Sequence, residues 1–303
     1  MSTDAPHSGP SGTSAVVSYV LLLVGFFAIG ISTQTRSPIH GLWITEALAI
    51  ALPALIALRG ANVRALPWLG LGRIAPVAIL AALGLALLNQ PAIAFLEWGA
   101  QKAAPAPWVQ LFLAKNVFLE QIFRRNEVWM VLTVTIAAPL GEELFFRGFL
   151  QPALARRMGI GPAIVLQGAL FAAIHVDPIG FIGLWELGIF FGILRHATGS
   201  LWPSIAAHAA NNGIAAFAFL AGLQKPDEVP PPWLVVLGAA LLLGLAVWTV
   251  LAARKPDPRP ARPEPIDKAA PAGGFRIGRV YALALVWVAS VGAGVALYVM
   301  QLR

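Results

Sequence analysis

The sequence predicts an all-α protein: a polytopic transmembrane helical bundle with about eight or nine spanning helices. Hydrophobic residues make up 58% of its 303 residues and charged residues only 12%, with a mean hydropathy of +0.75. Apolar runs recur along the chain, each near the length of about 20 residues that a helix needs to cross a bilayer. Backbone polar groups in lipid must be paired internally, which for runs of this length favours helices over the short alternating strands of a barrel.

Composition also narrows the chemistry. The chain has no cysteine, which excludes disulfides, thiolate nucleophiles and cysteine metal ligands. The net charge of +7 comes from basic residues in the loops between apolar runs, which indicates membrane topology instead of nucleic-acid binding. The expected surroundings are therefore a lipid bilayer, and no nucleic acid is expected as a partner.

The N-terminal half divides into a tail and three spans. Residues 1–13 contain no Lys or Arg, which argues against a cleavable secretory signal and predicts a disordered tail. Residues 14–127 are predicted to form the N-terminal transmembrane helices and an interfacial segment. The spans cover residues 14–32, 41–58 and 74–98, and residues 99–127 form the interfacial amphipathic part.

Four further spans are predicted in residues 128–223, followed by two more at the C-terminal end. The first of the four covers residues 128–156, and the second runs from a turn at 159–162 to residue 176. The third covers residues 179–195 and the fourth residues 201–223. Asp177 and Pro178 end the second of these four. Residues 224–303 are predicted to hold an eighth span at 233–253, a Pro-rich basic loop at 254–279 and a ninth span at 280–302.

Loop charges predict the orientation of these spans. Alternate loops, those on the same side as the N-terminus, carry more Lys and Arg than the loops on the other side. The positive-inside rule therefore predicts a cytoplasmic N-terminus in a multi-pass protein of a bacterial-type cell (inner) membrane.

Three ionisable residues lie inside the fourth predicted span: Glu142, Glu143 and Arg147. Each charge at the centre of a bilayer costs about 2.5–3.5 kcal/mol on insertion scales, so these side chains require partners or a polar cavity. Four residues along a helix place Glu143 and Arg147 about 40° apart, close enough for an ion pair, while Glu142 points about 100° away. The spacing therefore predicts one paired glutamate and one that faces a cavity.

Two later spans each carry a polar pair at helical spacing. Phe171 and His175 are four residues apart, as are His208 and Asn212. Glu142 and His175 lie equally far along the chain from the turn between their helices, which puts both about 22 Å from that turn and predicts that they face each other. His208 reaches the same depth only if residues 198–203 dip into the protein or the helices tilt.

These residue types are suited to peptide hydrolysis in two ways. A desolvated carboxylate can act as a general base, a neutral imidazole can help to hold the attacking water, and a second His with an Asn amide can donate hydrogen bonds to an oxyanion. Alternatively, Glu142, His175 and His208 could bind zinc and leave a fourth position open. The residues alone leave the cofactor unknown, with zinc as the one candidate.

The order Glu-Glu-x-x-x-Arg, Phe-x-x-x-His and His-x-x-x-Asn resembles the three motifs of the CPBP family of CAAX-protease and bacteriocin-processing intramembrane endopeptidases. The motifs occupy residues 142–147, 171–175 and 208–212. The resemblance covers residues 128–222 and implies that residues 128–223 form a catalytic core of four helices. It also implies a membrane-anchored peptide or protein as the substrate.

The resemblance assigns a role to each motif residue. Glu142 and His175 would activate water, and His208 and Asn212 would form the oxyanion hole. Glu143, Arg147 and Phe171 would support the site. Some family members are called metalloproteases and others are described as glutamate-dependent, so the resemblance leaves the metal open.

Two other classes of function compete with a protease. In a proton- or ion-coupled transporter, Glu46 and Glu186, which also lie inside predicted spans, would join the motif glutamates and histidines in a relay. That class predicts inverted repeats with broken helices, and no convincing internal repeat is present. The third class is a non-catalytic membrane scaffold or immunity protein with the same fold.

Overall fold

A computed structural model describes residues 9–223 continuously, together with single positions at 231, 233, 236, 237, 240, 287 and 288. The predicted eighth and ninth spans, the Pro-rich loop and most of the predicted N-terminal tail therefore lie outside the described residues. Within residues 9–223 the backbone is predominantly helical and forms no extended strand, so the predicted all-α class is confirmed for this part of the chain.

The helices are numbered in chain order. Their bounds are α1 Gly12–Gln34, α2 Pro38–Gly60, α3 Ala65–Leu69, α4 Pro76–Ala103, α5 Ala106–Arg125, α6 Glu127–Met158, α7 Ile160–Ala173, α8 Phe181–Thr198 and α9 Trp202–Leu220. Helices α4, α6, α7, α8 and α9 pack into a bundle. Helix α1 packs on the C-terminal end of α6, and α2 packs along both halves of α6. The amphipathic segment predicted at 99–127 forms the end of α4 and the whole of α5.

Four helices of the described chain, α1, α2, α4 and α6, are long and apolar enough to cross a membrane. They contain the spans predicted at 14–32, 41–58 and 128–156, and all but the first two residues of the span predicted at 74–98. Helix α6 has 32 residues, so it is longer than a bilayer requires, as its sequence predicts.

The predicted total of eight or nine spans is not confirmed. Helix α7 has only 14 residues, and α8 and α9 are not among the four membrane-length apolar helices of the described chain. The physical reason is their polar content. Helix α8 buries Glu186 and Arg195, and α9 buries His208 and Asn211. These side chains face other helices instead of lipid, and they lower the hydropathy on which a span is recognised.

Short π-helical segments interrupt α1, α2 and α6 at Phe26–Gly30, Thr45–Ala51 and Leu144–Leu150. The segment of α2 contacts those of both α1 and α6. The π-helical segment of α6 begins directly after Glu143. Such segments are rare and occur often at functional sites. The place where they meet, around Glu143, is therefore a candidate functional site.

Helices α7 and α8 approach until their backbones touch. A Cβ atom added to Gly188 of α8 would lie 2.5 Å from Cα of Gly168 in α7. This approach brings the carbonyl oxygen of Gly188 within reach of buried polar side chains, because Gln167 Nε2 donates to it at 2.8 Å. Small residues at such contacts are typical of helix packing in membranes.

We expect Gly188→Ala to destabilise the protein by about 1–3 kcal/mol, because the added methyl group forces two backbones apart. The midpoint of thermal unfolding in detergent checks this. Gly84→Ala in α4 is the matched control, since no atom from another part of the described chain lies within 4 Å of a Cβ at that position. Equal unfolding midpoints for the two variants would contradict the close contact.

Candidate active site

The C-terminal half of α6 carries three buried ionisable side chains. Glu142 is 6% exposed, and Glu143 and Arg147 are fully buried. All three lie beside the first π-helical turn of this helix. Their burial places the charged residues inside the bundle, so each depends on protein partners.

Glu143 is held by two cationic or polar partners at one oxygen. Arg147 Nη1 donates to Glu143 Oε1 at 2.6 Å, and His208 Nδ1 lies 2.8 Å from the same atom. The predicted pair of Glu143 and Arg147 is therefore present, and the structure adds a direct link to His208 of α9. The sequence gives no sign of this link, because the two residues are 65 positions apart.

Arg147 also connects α6 to the rest of the bundle. Its Nη2 donates to the carbonyl oxygen of Gly188 at 3.2 Å. Its guanidinium lies 4.3 Å from the ring centre of Phe171 and 5.1 Å from that of Phe191. Phe171 thus packs against the charged pair, and these cation–π contacts offset part of the free-energy cost of burying the guanidinium.

Both motif histidines point their Nε2 atoms at Glu142. The distance from His175 Nε2 to Glu142 Oε1 is 3.9 Å, and that from His208 Nε2 to Glu142 Oε2 is 3.6 Å. The structure thus brings together Glu142 of α6, His175 in the turn after α7 and His208 of α9. The predicted facing of Glu142 and His175 is present.

Hydrogen bonds at Nδ1 define the tautomers of both rings. His175 Nδ1 lies 2.9 Å from the carbonyl oxygen of Phe171, which can only accept, so this nitrogen carries the hydrogen. His208 Nδ1 likewise donates to the Glu143 carboxylate. In the neutral rings, both Nε2 atoms therefore present lone pairs toward Glu142.

His208 reaches this depth because the segment before α9 enters the protein. Ser200, Leu201 and Pro203 are buried, and the backbone N–H of Leu201 donates to the carbonyl oxygen of Gly70 at 2.9 Å. The His208 ring stacks on Phe191 with a centroid distance of 4.8 Å and an interplanar angle of 16°. Of the two arrangements predicted to bring His208 to this depth, the dip of residues 198–203 into the protein is therefore observed.

Asn212 lies one turn further along α9 and is half-buried. Its Nδ2 donates to the carbonyl oxygen of Val134 at 2.9 Å, which uses one of its two amide hydrogens. Val134 precedes Glu142 by two turns of α6, about 12 Å along the helix axis. The next residue back, Asn211, is braced by Gln90 Nε2 of α4 at 3.0 Å. Asn212 is therefore tied to α6, while His208 is tied to the glutamates.

Glu142, His175 and His208 are the residues that could bind zinc. Within residues 9–223 and the other described positions, no group of three or more His, Asp or Glu side chains is arranged to hold a metal ion. No metal site is thus found among these described residues, Glu142, His175 and His208 included, and the scheme below contains no metal step.

The structure also places Glu46 and Glu186, two further glutamates of the predicted spans. Glu46 of α2 packs against Gly141, directly before Glu142, and its buried Oε2 has no hydrogen-bond partner in the described part of the chain. Glu186 of α8 accepts from Asn89 Nδ2 at 3.0 Å. In the sequence, both Glu46 and Glu186 stand out as carboxylates inside an apolar run. This pattern indicates that they are buried but does not show which residues they contact.

Comparison with known proteins bears on this arrangement. Residues 124–214 match the family model described as type II CAAX prenyl endopeptidase Rce1-like. The matched range contains all three motifs, and it supports a protease role and a membrane location. No curated protein and no solved structure gives a significant match. Residues 124–214 are therefore similar to the Rce1-like family, in agreement with the resemblance of the three motifs to the CPBP family.

Proposed function

We propose that the protein is an intramembrane endopeptidase that hydrolyses a peptide bond of a membrane-anchored substrate. The observation that carries the proposal is the meeting of the buried Glu142 carboxylate with two imidazole Nε2 atoms, at 3.6 and 3.9 Å. Residues 128–223 are the proposed catalytic core. The three motifs give that core its residues, and the family match gives the protease class.

The proposed nucleophile is a water molecule between Glu142 and His175. Carboxylate oxygens and the two lone-paired Nε2 atoms are all acceptors, and their separations exceed the length of a direct hydrogen bond. A water that donates one hydrogen to each of Glu142 and His175 satisfies both. Glu142 then takes a proton as the water oxygen attacks the carbonyl carbon, and it returns that proton to the amine when the C–N bond breaks.

His208 and Asn212 are the proposed donors to the oxyanion. Glu143 accepts from His208 Nδ1 and so orients the ring. When Nε2 also carries a hydrogen, it can donate to the oxyanion. The second amide hydrogen of Asn212 is the other proposed donor. Arg147 keeps Glu143 in position, so Glu143 and Arg147 support the oxyanion side of the site.

We expect cleavage to survive removal of metal ions, because Glu142 acts directly on water in this scheme. The check is the cleavage rate of protein dialysed against a strong chelator, with total metal measured on the same sample. Loss of activity that returns on addition of zinc would contradict the metal-free scheme and support the zinc alternative.

The direct test of the function is cleavage by the purified protein in bilayers. A membrane-anchored peptide is supplied with and without a prenylated C-terminal tail, and the products are identified by mass spectrometry. We expect cleavage by the wild type and a rate at least about 100-fold lower for His175→Ala. Undiminished cleavage by the variant would overturn the proposed mechanism, and preference between the two peptides reports the substrate class.

A topology proposal accompanies the mechanism. The N-terminus is placed in the cytoplasm of a bacterial-type inner membrane on the basis of its more basic loops. The test is added protease on closed inverted vesicles, in which the cytoplasmic face is outside. We expect a tag at the N-terminus to be digested, and a protected tag would contradict this orientation.

A further inference from the structure

The loop that carries His175 joins α7 to α8 and has an uncommon backbone. Helix α7 ends at Ala173, and Val176, directly after His175, has a φ of +49°. A β-branched residue rarely adopts this left-handed conformation, and such residues persist where their surroundings hold them. The orientation of His175 therefore depends on what holds the segment from Ile174 to Gly180.

Asp177 is the side chain that holds this loop. Its Oδ1 accepts from the backbone N–H groups of Ile179 at 3.2 Å and Gly180 at 2.9 Å. The fit is close, because a Cβ on Gly180 would lie 2.6 Å from Asp177 Oδ2. The carboxylate is nearly buried, with 6% of the side chain exposed. Asp177 thus fixes the backbone that follows His175.

The other oxygen of Asp177 connects the loop to α5. Lys115 Nζ forms an ion pair with Asp177 Oδ2. Lys115 lies 62 positions earlier, on the amphipathic helix, which packs on α6 and α9. A ring contact between Phe123 and Phe219, with centroids 5.7 Å apart, supports this docking. The ion pair therefore ties the His175 loop to a helix outside the three motifs.

His175 depends on this support more than His208 does. The His175 side chain is 31% exposed and that of His208 is 5% exposed. His208 is held by Glu143 and by stacking on Phe191, both on other helices. The partners of His175 are local, because its Nδ1 bonds to the carbonyl of Phe171 in the last turn of α7 and its ring packs edge-on against Phe171 at 4.9 Å. A change in the loop backbone consequently alters the direction of His175 Nε2 relative to Glu142.

We propose that Lys115 and Asp177 are positioning residues for His175: their ion pair holds the loop in the conformation that directs His175 Nε2 at Glu142. This inference rests on the proposed function for its catalytic consequence. Neither residue touches the reacting atoms. The effect on the reaction is transmitted through the loop backbone.

The test compares Lys115→Met and Asp177→Asn with the wild type. Both variants remove the ion pair, and the asparagine keeps an oxygen for the two backbone N–H groups. Solid-state NMR of ¹⁵N-histidine-labelled protein in bilayers reads the ring tautomers, with His175 assigned by His175→Gln. We expect the Nδ1–H signature of His175 to be lost in both variants and restored in Lys115→Arg. The His208 signals are expected to stay unchanged.

Arg124→Met is the matched control, because it breaks an exposed ion pair with Glu120 on the same helix. Its His175 signals should equal those of the wild type. His175 signals that are unchanged in Lys115→Met and Asp177→Asn would overturn the proposal. So would a change of equal size in the Arg124→Met control.

Kinetics supply the second readout. We expect kcat to fall by about 10- to 100-fold in Lys115→Met with KM unchanged, and no further fall in the Lys115→Met/Asp177→Asn double variant. A larger loss in the double variant would show that the residues act separately and would overturn the proposal. If the wild type cleaves no peptide, the proposed function fails, while the NMR comparison still decides the positioning role.

Discussion

Replacing Glu142 with glutamine is expected to lower kcat by about 10²- to 10⁴-fold, the range that a general base contributes. Glutamine has nearly the same shape as glutamate but cannot take a proton from water. Because the side chain is buried, no solvent base can approach to replace it. The measurement is the initial rate of cleavage at saturating peptide.

Glu186→Gln is the matched control for this prediction. Glu186 is also a buried glutamate of the helical bundle, but its partner is Asn89 and it belongs to none of the motifs. We expect its kcat to stay within a few-fold of the wild type. Equal losses in the two variants would point to a general effect of neutralising buried carboxylates, and the assignment of Glu142 as the base would be wrong.

Replacing Arg147 with methionine is expected to destabilise the fold by about 3–5 kcal/mol, because the fully buried Glu143 carboxylate loses its cationic partner. Methionine can fill the space among Phe171 and Phe191. The missing charge is therefore the main change. The measurement is the free energy of unfolding in mixed micelles.

The double variant Arg147→Met/Glu143→Leu separates stability from activity. Replacing both members of a buried ion pair with apolar residues is often neutral for stability, so much of the lost stability should return. Activity should not return, because His208 Nδ1 no longer has the Glu143 oxygen that orients its ring. A double variant as unstable as Arg147→Met, or one as active as the wild type, would contradict this account.

Helical spacing alone predicted the part of the site that depends on local geometry. Glu143 and Arg147 pair because they are four residues apart on one helix. Glu142 and His175 meet because equal numbers of residues separate them from the turn between α6 and α7. Both inferences need only the rise and the rotation of a helix.

The remaining contacts depend on the packing of distant segments. The bond between His208 and Glu143 and the ion pair between Lys115 and Asp177 each join residues more than 60 positions apart. In the sequence, Asp177 reads as the end of a helix, since an Asp-Pro pair is typical of a stop. The pattern does not show which donors the Asp177 carboxylate binds, because those depend on how the neighbouring segments pack.

The number of spanning helices could not be predicted reliably from hydropathy for a related reason. Hydropathy identifies helices that face lipid, such as α1 and α4. It identifies less well a helix such as α8, whose buried Arg195 donates to the backbone carbonyl of Trp68 in the short helix α3. A helix that contributes polar residues to a site has a lower mean hydropathy, so it is harder to recognise as a span.

The source of the oxygen in the product tests the central claim most directly. Wild-type protein in excess over the peptide is allowed one turnover in ¹⁸O-labelled water, and the new C-terminal carboxyl group is analysed by mass spectrometry. Water activated by Glu142 predicts one ¹⁸O atom in that group. An unlabelled carboxyl group would contradict the account, because its second oxygen would then have come from the protein, as in attack by the glutamate itself.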